Sequence, residues 1–307
     1  MAQAIELAVG GRTLRVTNPE RMYFPRLGIT KADVVRYFVA VAEPILAALS
    51  ERPTMLERWP KGVLPDSKLS IWKGEPGDAF YQRRVPRGAP DWVQTARVAA
   101  PDGSYDELVC PTELAVVAWA ANLGTLRFHP ATVRRPDLDH PDRLPVDLDP
   151  QPGTGFRDAV RVAVELRRLL GELGVTGFPK TTGGRGLHVL VPIEPRWNYS
   201  DVQRAAFALG RELVRRMPRH ATIARLKKDR GERVYVDCGQ MTVTSAYSIR
   251  PTPHACVSAP LTWDELPDVT PADFDVVTVP TRHAVLGDPH TGLAELSFSI
   301  EPMLALD

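Results

Sequence analysis

The stretch from Leu144 to Ile193 constrains the fold more than any other. It reads "LPVDLDP", then the amphipathic "FRDAVRVAVELRRLLGELG", then "GFPKTT", a "GGRG" turn and the apolar "LHVLVPI". Extended, helical and again extended periodicity in that order predicts a β-α-β unit with an added hairpin strand. A helix with one apolar stripe must bury it, and a sheet face is the available partner.

The first strand of that unit carries two acids. Asp147 and Asp149 point the same way in an extended chain, because side chains alternate with period two. Carboxylates held that close repel each other, and a shared proton or a bound cation relieves the repulsion. A second apolar run, "RVYVDC", ends in Asp237. Three carboxylates on adjacent strands would supply the hard oxygen ligands that Mg²⁺ or Mn²⁺ prefers. Two such ions, about 4 Å apart, are the arrangement used for in-line displacement at phosphorus. The similar "DLDH" at Asp137 and Asp139 lies among prolines and charges and reads as solvated.

Further along, "KTTGGRGLH" (Lys180 to His188) brings small residues together with Thr182, Arg185 and His188. Consecutive amides in such a turn can form an anion nest, and the arginine fork suits a phosphate chain. From Arg211 to Arg233 nine Lys or Arg face three acids. A solvated helix face accounts for Arg211, Arg215 and Arg216, whereas Arg230, just upstream of the Asp237 strand, is placed to meet a triphosphate. Near the start, "GITKADVVRYFVAVAEPILAALS" predicts a helix capped by Thr30 and Asp33 and kinked or split at Pro44. Lys31 falls in its first turn, where free amides and the dipole favour an anion. Arg21 lies close in sequence. Other expected elements are a hairpin around Gly10-Gly11, a helix ending near Gly124, a strand "TLRFHP", a helix capped by Ser200 and Gln203, and a strand "TSAYSIRP".

Composition sets limits. A net charge of +1 excludes global basicity as a sign of nucleic-acid binding, which then needs a local patch. Three scattered cysteines form no CxxC pair and predict a reducing, cytoplasmic setting rather than a zinc or disulfide framework. The amino terminus reads as a hairpin rather than a signal peptide, and no run reaches membrane-spanning length, so no membrane partner is expected.

These motifs resemble the polymerase domain of bacterial DNA ligase D, a branch of the archaeo-eukaryotic primase superfamily. The resemblance is carried in order by "VTNPERMYFPRLGITKAD", "RWPKGV", "FYQRRVPRGAPDWV", "NLGTLRFHP", "PDRLPVDLDP", "KTTGGRGLH", "VYVDCGQ" and "AYSIRP". It implies an α/β (α+β) primase-polymerase fold with an RRM-like catalytic sheet, forming one catalytic domain over 1–307. Residues up to about 125 would form the DNA-binding face, and about 126–260 the metal and nucleotide site. The implied function is DNA-dependent nucleotidyl transfer to primers in short gaps or at broken ends, favouring ribonucleotides, in end joining or gap filling.

The resemblance assigns Asp147, Asp149 and Asp237 to two Mn²⁺ or Mg²⁺ ions. It assigns His129, Thr182, Arg185, His188, Arg230, Gln240 and Arg250 to the incoming NTP or dNTP. Arg21 and Lys31 would hold a 5′-phosphate of gapped or broken DNA, and Tyr81 would stack on template bases. A monomer is implied, with Ku and a separate DNA ligase as candidate partners, because no ligase or nuclease module occurs in these 307 residues. Glu57 stands where relatives can carry a lysine, and "LPDSKLSIWKGEPGDA" looks like an insertion. The alternatives are a DxD metal-dependent glycosyltransferase, which would leave Asp237 idle, and a non-catalytic DNA-end-binding adaptor.

Overall fold

The computed structural model describes residues 4–70, 77–100 and 103–306. The chain divides into two compact units. One comprises Met1–Ala131, Thr244–Val257 and Phe274–Gly287; the other comprises Thr132–Val243, Ser258–Asp273 and Asp288–Asp307.

The first unit opens with the expected hairpin, β1 (Ala4–Val9) and β2 (Arg12–Thr17). Gly10 and Gly11 both have positive φ (55° and 79°), the conformation that a two-residue turn between twisted strands demands. Short strands β3 (Met22–Phe24) and β4 (Ile29–Thr30) then lead into α1 (Lys31–Ala40) and α2 (Ala42–Leu49). The long helix is divided, as Pro44 predicts, with the break at Val41. Pro44 falls in the first turn of α2, where a missing amide costs no helical bond.

A six-stranded sheet follows, made from β5 (Thr54–Arg58), β6 (Leu69–Ser70), β7 (Ala79–Gln82), β8 (Thr95–Ala99), β9 (Tyr105–Val109) and β10 (Thr125–Pro130). The apolar helix α3 (Leu114–Asn122) precedes β10. In β5 and β10, Leu56 and Phe128 stand opposite each other and are fully buried. Phe38 of α1 packs edge-on against Phe128, with ring centroids 5.4 Å apart. Alternation therefore turns Glu57, Arg127, His129 and Tyr81 to the other face. Residues 71–76 of the apparent insertion lie outside the described residues.

The second unit is a five-stranded sheet in the order β12-β13-β11-β15-β14. Its strands are β11 (Arg143–Pro150), β12 (Phe178–Thr181), β13 (Leu187–Pro192), β14 (Ala221–Thr222) and β15 (Val234–Asp237). Helix α4 (Phe156–Glu172) connects β11 to β12, and α5 (Tyr199–Arg216) connects β13 to β14. β13 is antiparallel to both β11 and β12, so those two run parallel, the expected β-α-β unit with a hairpin strand inserted.

Both helices pack on the face that carries Val189, Val236 and Cys238. A Cβ on Gly177 would meet Val189 and the α4 residue Leu170, and one on the α5 residue Gly210 would meet Cys238. Asp147, Asp149 and Asp237 are thereby left on the opposite face. Two short helices, α6 (Thr278–Leu286) in the first unit and α7 (Glu301–Leu304) in the second, complete the described elements of this kind.

Two local expectations are corrected. Helix α5 is capped by Asn198, whose side chain accepts from the Asp201 amide, not by Ser200 with Gln203. Asn is as good a cap as Ser, and it lies two residues earlier. "TSAYSIRP" forms no strand; it is a turn with one isolated bridge, Ile249 to Val257, and Tyr247 sits at φ 63°. A left-handed residue cannot continue a pleated ladder.

Candidate active site

In the second unit the strand registers set the geometry. Asp147 stands directly opposite Asp237, and Asp149 lies two residues along the same face. Asp147 is largely buried, with 17% of its side chain exposed. Its pKa is pushed up from 3.8 to about 7, first by burial and then by the like charges of Asp149 and Asp237. Lys180 and a hydrogen bond from Gln240 pull the other way without prevailing.

The Gln240 amide donates to Asp147 Oδ2 (3.1 Å) and to Asp237 Oδ2 (3.0 Å), so a neutral NH₂ spans the two carboxylates. Asp237 Oδ1 also accepts from the Gly239 amide. Among the described residues no three His, Cys, Asp or Glu side chains already close on one point as a ligand cage. The donor set nevertheless fits a hard divalent cation. It is all oxygen, it gathers on one face, and its central member is destabilised by surplus negative charge that a cation would neutralise.

The glycine turn joins β12 to β13 beside this face. Gly183 has φ 70°, and a Cβ on Gly186 would lie 2.6 Å from the Leu148 carbonyl. Gly186, the third glycine of the turn, is thus required for close approach to β11. Thr182 closes the turn: its amide donates to Gly186 O and its hydroxyl accepts from the Gly184 amide. Arg185 donates to Pro150 O at 3.3 Å. His188 is the cross-strand partner of Asp147, with Nε2 3.5 Å from Oδ1.

The Arg230 guanidinium carbon lies over the Tyr235 ring, 3.4 Å from its centroid, and Tyr235 is the cross-strand partner of Asp149. Gln151 connects these groups, donating to Asp149 Oδ2 and accepting from Arg230 at 3.4 Å. Neither Tyr235, which lies within "VYVDCGQ", nor Gln151 was assigned a role from the sequence; their only signal is proximity to Asp237 and Asp149. Arg215 and Arg216, by contrast, are committed to Glu212, Glu165 and Glu172 along α4 and α5, the solvated ion-pair face expected of them. Asp137 and Asp139 are exposed, and Asp137 pairs with His140 three residues on.

The first unit gathers His129, Tyr81 and Glu57. Glu57 is completely buried. Its carboxylate accepts from Arg127 (2.8 Å) and Trp59 Nε1 (3.0 Å) and lies 3.2 Å from His129 Nε2. Burial pushes its pKa up, but His129, Arg127 and Trp59 together hold it below the usual carboxylate range. Arg127 also bonds Thr244. The Tyr81 ring meets His129 edge-on at 5.5 Å and is only partly exposed. The exposed ring is its neighbour Phe80, beneath the Arg58 guanidinium. The Arg250 amide donates to Cys256 O; burial and then the Glu57 charge push the Tyr81 phenol up, with Arg127 and Arg250 opposing them.

At the start of α1 the capping box of Thr30 and Asp33 is present, but the first-turn amides are not free for an anion. Lys31 N donates to Arg21 O, Ala32 N to Pro19 O and Asp33 N to Thr30 Oγ1. Lys31 itself is buried rather than solvated, with Nζ donating to Thr17 O at 2.7 Å. Its pKa is pushed down to about 8, first by burial and then by the charges of Arg21 and Arg58. What gathers here is a trio of cations, with Arg58 joining the expected pair. Arg58 is held by the Leu123 carbonyl and Gln82, and Arg21 by Pro60 O.

Comparison with known proteins places the chain in a family. The family model described as "LigD, primase-polymerase domain" matches residues 30–290. The multifunctional non-homologous end joining protein LigD of Mycobacterium bovis is 31% identical over 294 residues, covering 89% of this chain and 36% of that protein. The bifunctional LigD of Bacillus subtilis is 30% identical, with 90% of this chain and 43% of that protein covered. The chain thus spans between a third and a half of these relatives. The solved polymerase domain of Mycobacterium tuberculosis ligase D, in complex with DNA, superposes with a TM-score of 0.81 at 30% identity, covering 92% of this chain and 99% of that one. With a family match over most of its length and a mixed α/β fold shared with a solved member, the chain belongs to the LigD primase-polymerase domain family, a family of primase-type nucleotidyltransferases.

Proposed function

We propose that this chain is a DNA-dependent polymerase that adds nucleotides to a primer 3′-OH in short gaps or at broken ends. One observation carries the reading: Asp147 faces Asp237 across adjacent strands, with Asp149 beside them and the Thr182–His188 turn on the same sheet. The solved relative was captured with DNA, and the curated relatives are named for end joining, which favours DNA repair as the setting.

Asp147, Asp149 and Asp237 would hold two Mn²⁺ or Mg²⁺ ions. When bound, such ions lower the pKa of the attacking hydroxyl and neutralise the leaving pyrophosphate. The chain's own side chains do the positioning. Arg185 offers a fork to the phosphates, Arg230 is held over the Tyr235 ring, and Thr182, His188 and Gln240 add donors. His129 and Arg250 are further nucleotide contacts, and Tyr81 is a template contact. Arg21 and Lys31, joined by Arg58, form a cationic patch for a 5′-phosphate.

Ribonucleotide preference, a cytoplasmic setting, action as a monomer, and Ku and a separate ligase as partners belong to the same reading. Among the described residues no helix is long and apolar enough to cross a membrane. Primer extension on gapped and overhanging templates, with NTPs or dNTPs and Mn²⁺, tests the proposal. Extension is expected on the gapped template, and tight binding without extension would instead identify a DNA-end adaptor.

A further inference from the structure

The acid pair belongs to a longer row. Strands β12, β13, β11 and β15 are neighbours, and their registers set Lys180 opposite His188, His188 opposite Asp147, and Asp147 opposite Asp237. An ammonium, an imidazole and two carboxylates therefore form one line across the sheet. Lys180 is fully buried, a rare and costly place for a lysine unless its donors are satisfied. The mechanism above gives it no task.

Its surroundings define one. Lys180 Nζ lies 2.6 Å from Ser258 Oγ, and that hydroxyl donates to Thr181 O at 2.7 Å. The serine proton is committed, so the lysine is the donor of the pair. The same Nζ lies 2.8 Å from His188 Nδ1. An ammonium has three donors and no acceptor, so Nδ1 must accept. A neutral imidazole that accepts at Nδ1 carries its proton on Nε2. Nε2 is the nitrogen turned toward Asp147 Oδ1.

We propose that Lys180 is a positioning residue that fixes His188 as its Nε2–H tautomer and keeps that N–H directed at the acid cluster and the phosphate chain. The functional half of this inference rests on the nucleotide role given to His188 above. Without the lysine donor, the ring can protonate Nδ1 and turn a lone pair toward Asp147 and the phosphates. A permanent donor would then become a repulsive contact.

The test reads the tautomer directly, by ¹⁵N ring shifts of the full chain labelled at histidine, with no nucleotide or metal present. Seven histidines occur, and the His188→Gln variant identifies the one in question. The wild type should show a protonated Nε2 and a lone pair at Nδ1. Lys180→Met should populate the Nδ1–H form, and Lys180→Arg, which retains a cationic donor, should restore Nε2–H. A protonated Nδ1 in the wild type overturns the proposal without any variant, and so does an unchanged tautomer in folded Lys180→Met. Because no substrate is involved, the result decides Lys180's role whether or not the chain extends primers. In extension assays Lys180→Met should raise the nucleotide KM about tenfold with kcat changed less than about threefold, the loss of one charge-assisted contact. An unchanged KM would overturn the functional half.

Discussion

Each unit buries a carboxylate in a cross-strand row, and the two rows differ in what stands beside the acid. In the first unit Glu57 lies between Arg127 and Tyr81, with His129 and Trp59 also against it. In the second, Asp147 lies between His188 and another acid, with Asp149 on the same face. The consequences are opposite. Glu57 is held below the usual carboxylate range, whereas Asp147 is pushed up to about 7. A buried acid with its charge matched is part of the scaffold. A buried acid among like charges is unstable as an anion until a cation arrives, and such imbalance marks sites that act on ligands.

The largest effect expected from this contrast is on catalysis. On the proposed reading Asp149 helps hold the ions that stabilise charge at the reacting phosphate, so Asp149→Ala should lower primer extension by about three orders of magnitude or more. Binding to gapped DNA should stay within about twofold of wild type. Equal extension by the mutant would remove Asp149 from the metal site and end the contrast with Glu57. The matching substitution in the other row acts on folding instead. Glu57→Ala leaves the half-buried Arg127 with Thr244 but without its carboxylate partner, and breaking a buried pair costs about 3–5 kcal/mol, an upper bound here. Urea denaturation would register this as a lower midpoint, and a change below about 1 kcal/mol would show that the Glu57 network is not a scaffold.

The pH responses should carry opposite signs. Asp147 has a folded pKa raised above its unfolded value, so the unfolded chain binds fewer protons between pH 4 and pH 7. Its contribution to stability is full below about pH 4 and is lost as pH rises through about 7. Glu57 is lowered, so its contribution is present above the unfolded carboxylate pKa and is lost as pH falls through the folded one. Thermal melts without divalent ions should therefore show a decline from pH 4 to pH 7 that Asp147→Asn abolishes. Mn²⁺ should raise the melting temperature more at pH 8 than at pH 5. An equal rise at both would separate cation binding from Asp147.

Much of the second unit was legible because its sequence pattern and its chemistry coincide. The alternation in "LPVDLDP" fixed both the strand and the shared face of its acids, and the helical period after it required a crossover. What could not be read was register. That Asp147 faces Asp237, and that Lys180 completes the row, depends on pairing between segments up to 90 residues apart in sequence. Local propensity does not encode such pairing. Glu57 illustrates the other limit. Its departure from a lysine was visible, but its partners Arg127 and His129 come from the paired strand β10, Arg127 lying 70 residues on in sequence. Tyr81 and Phe80 are consecutive aromatics on opposite faces, and only the fold shows that Phe80 is the exposed one.

The smallest predicted effect concerns the cationic counterpart of the acid cluster. Burial, and then the like charges of Arg21 and Arg58, lower Lys31 to about 8, and a phosphate dianion would relieve that crowding as a cation would relieve Asp147. Arg21 is exposed while Lys31 is buried against Thr17, so the two substitutions should report differently. Arg21→Ala should weaken binding to a 5′-phosphorylated gap about five- to tenfold and lower the salt slope by about one, because it would remove the proposed phosphate contact. Lys31→Met preserves the apolar stem and should cost a similar factor only if Nζ leaves Thr17 for the phosphate. A preference for the 5′-phosphate that survives both changes would assign the trio to packing, and Lys31 would then join Glu57 as a charge matched by its own fold.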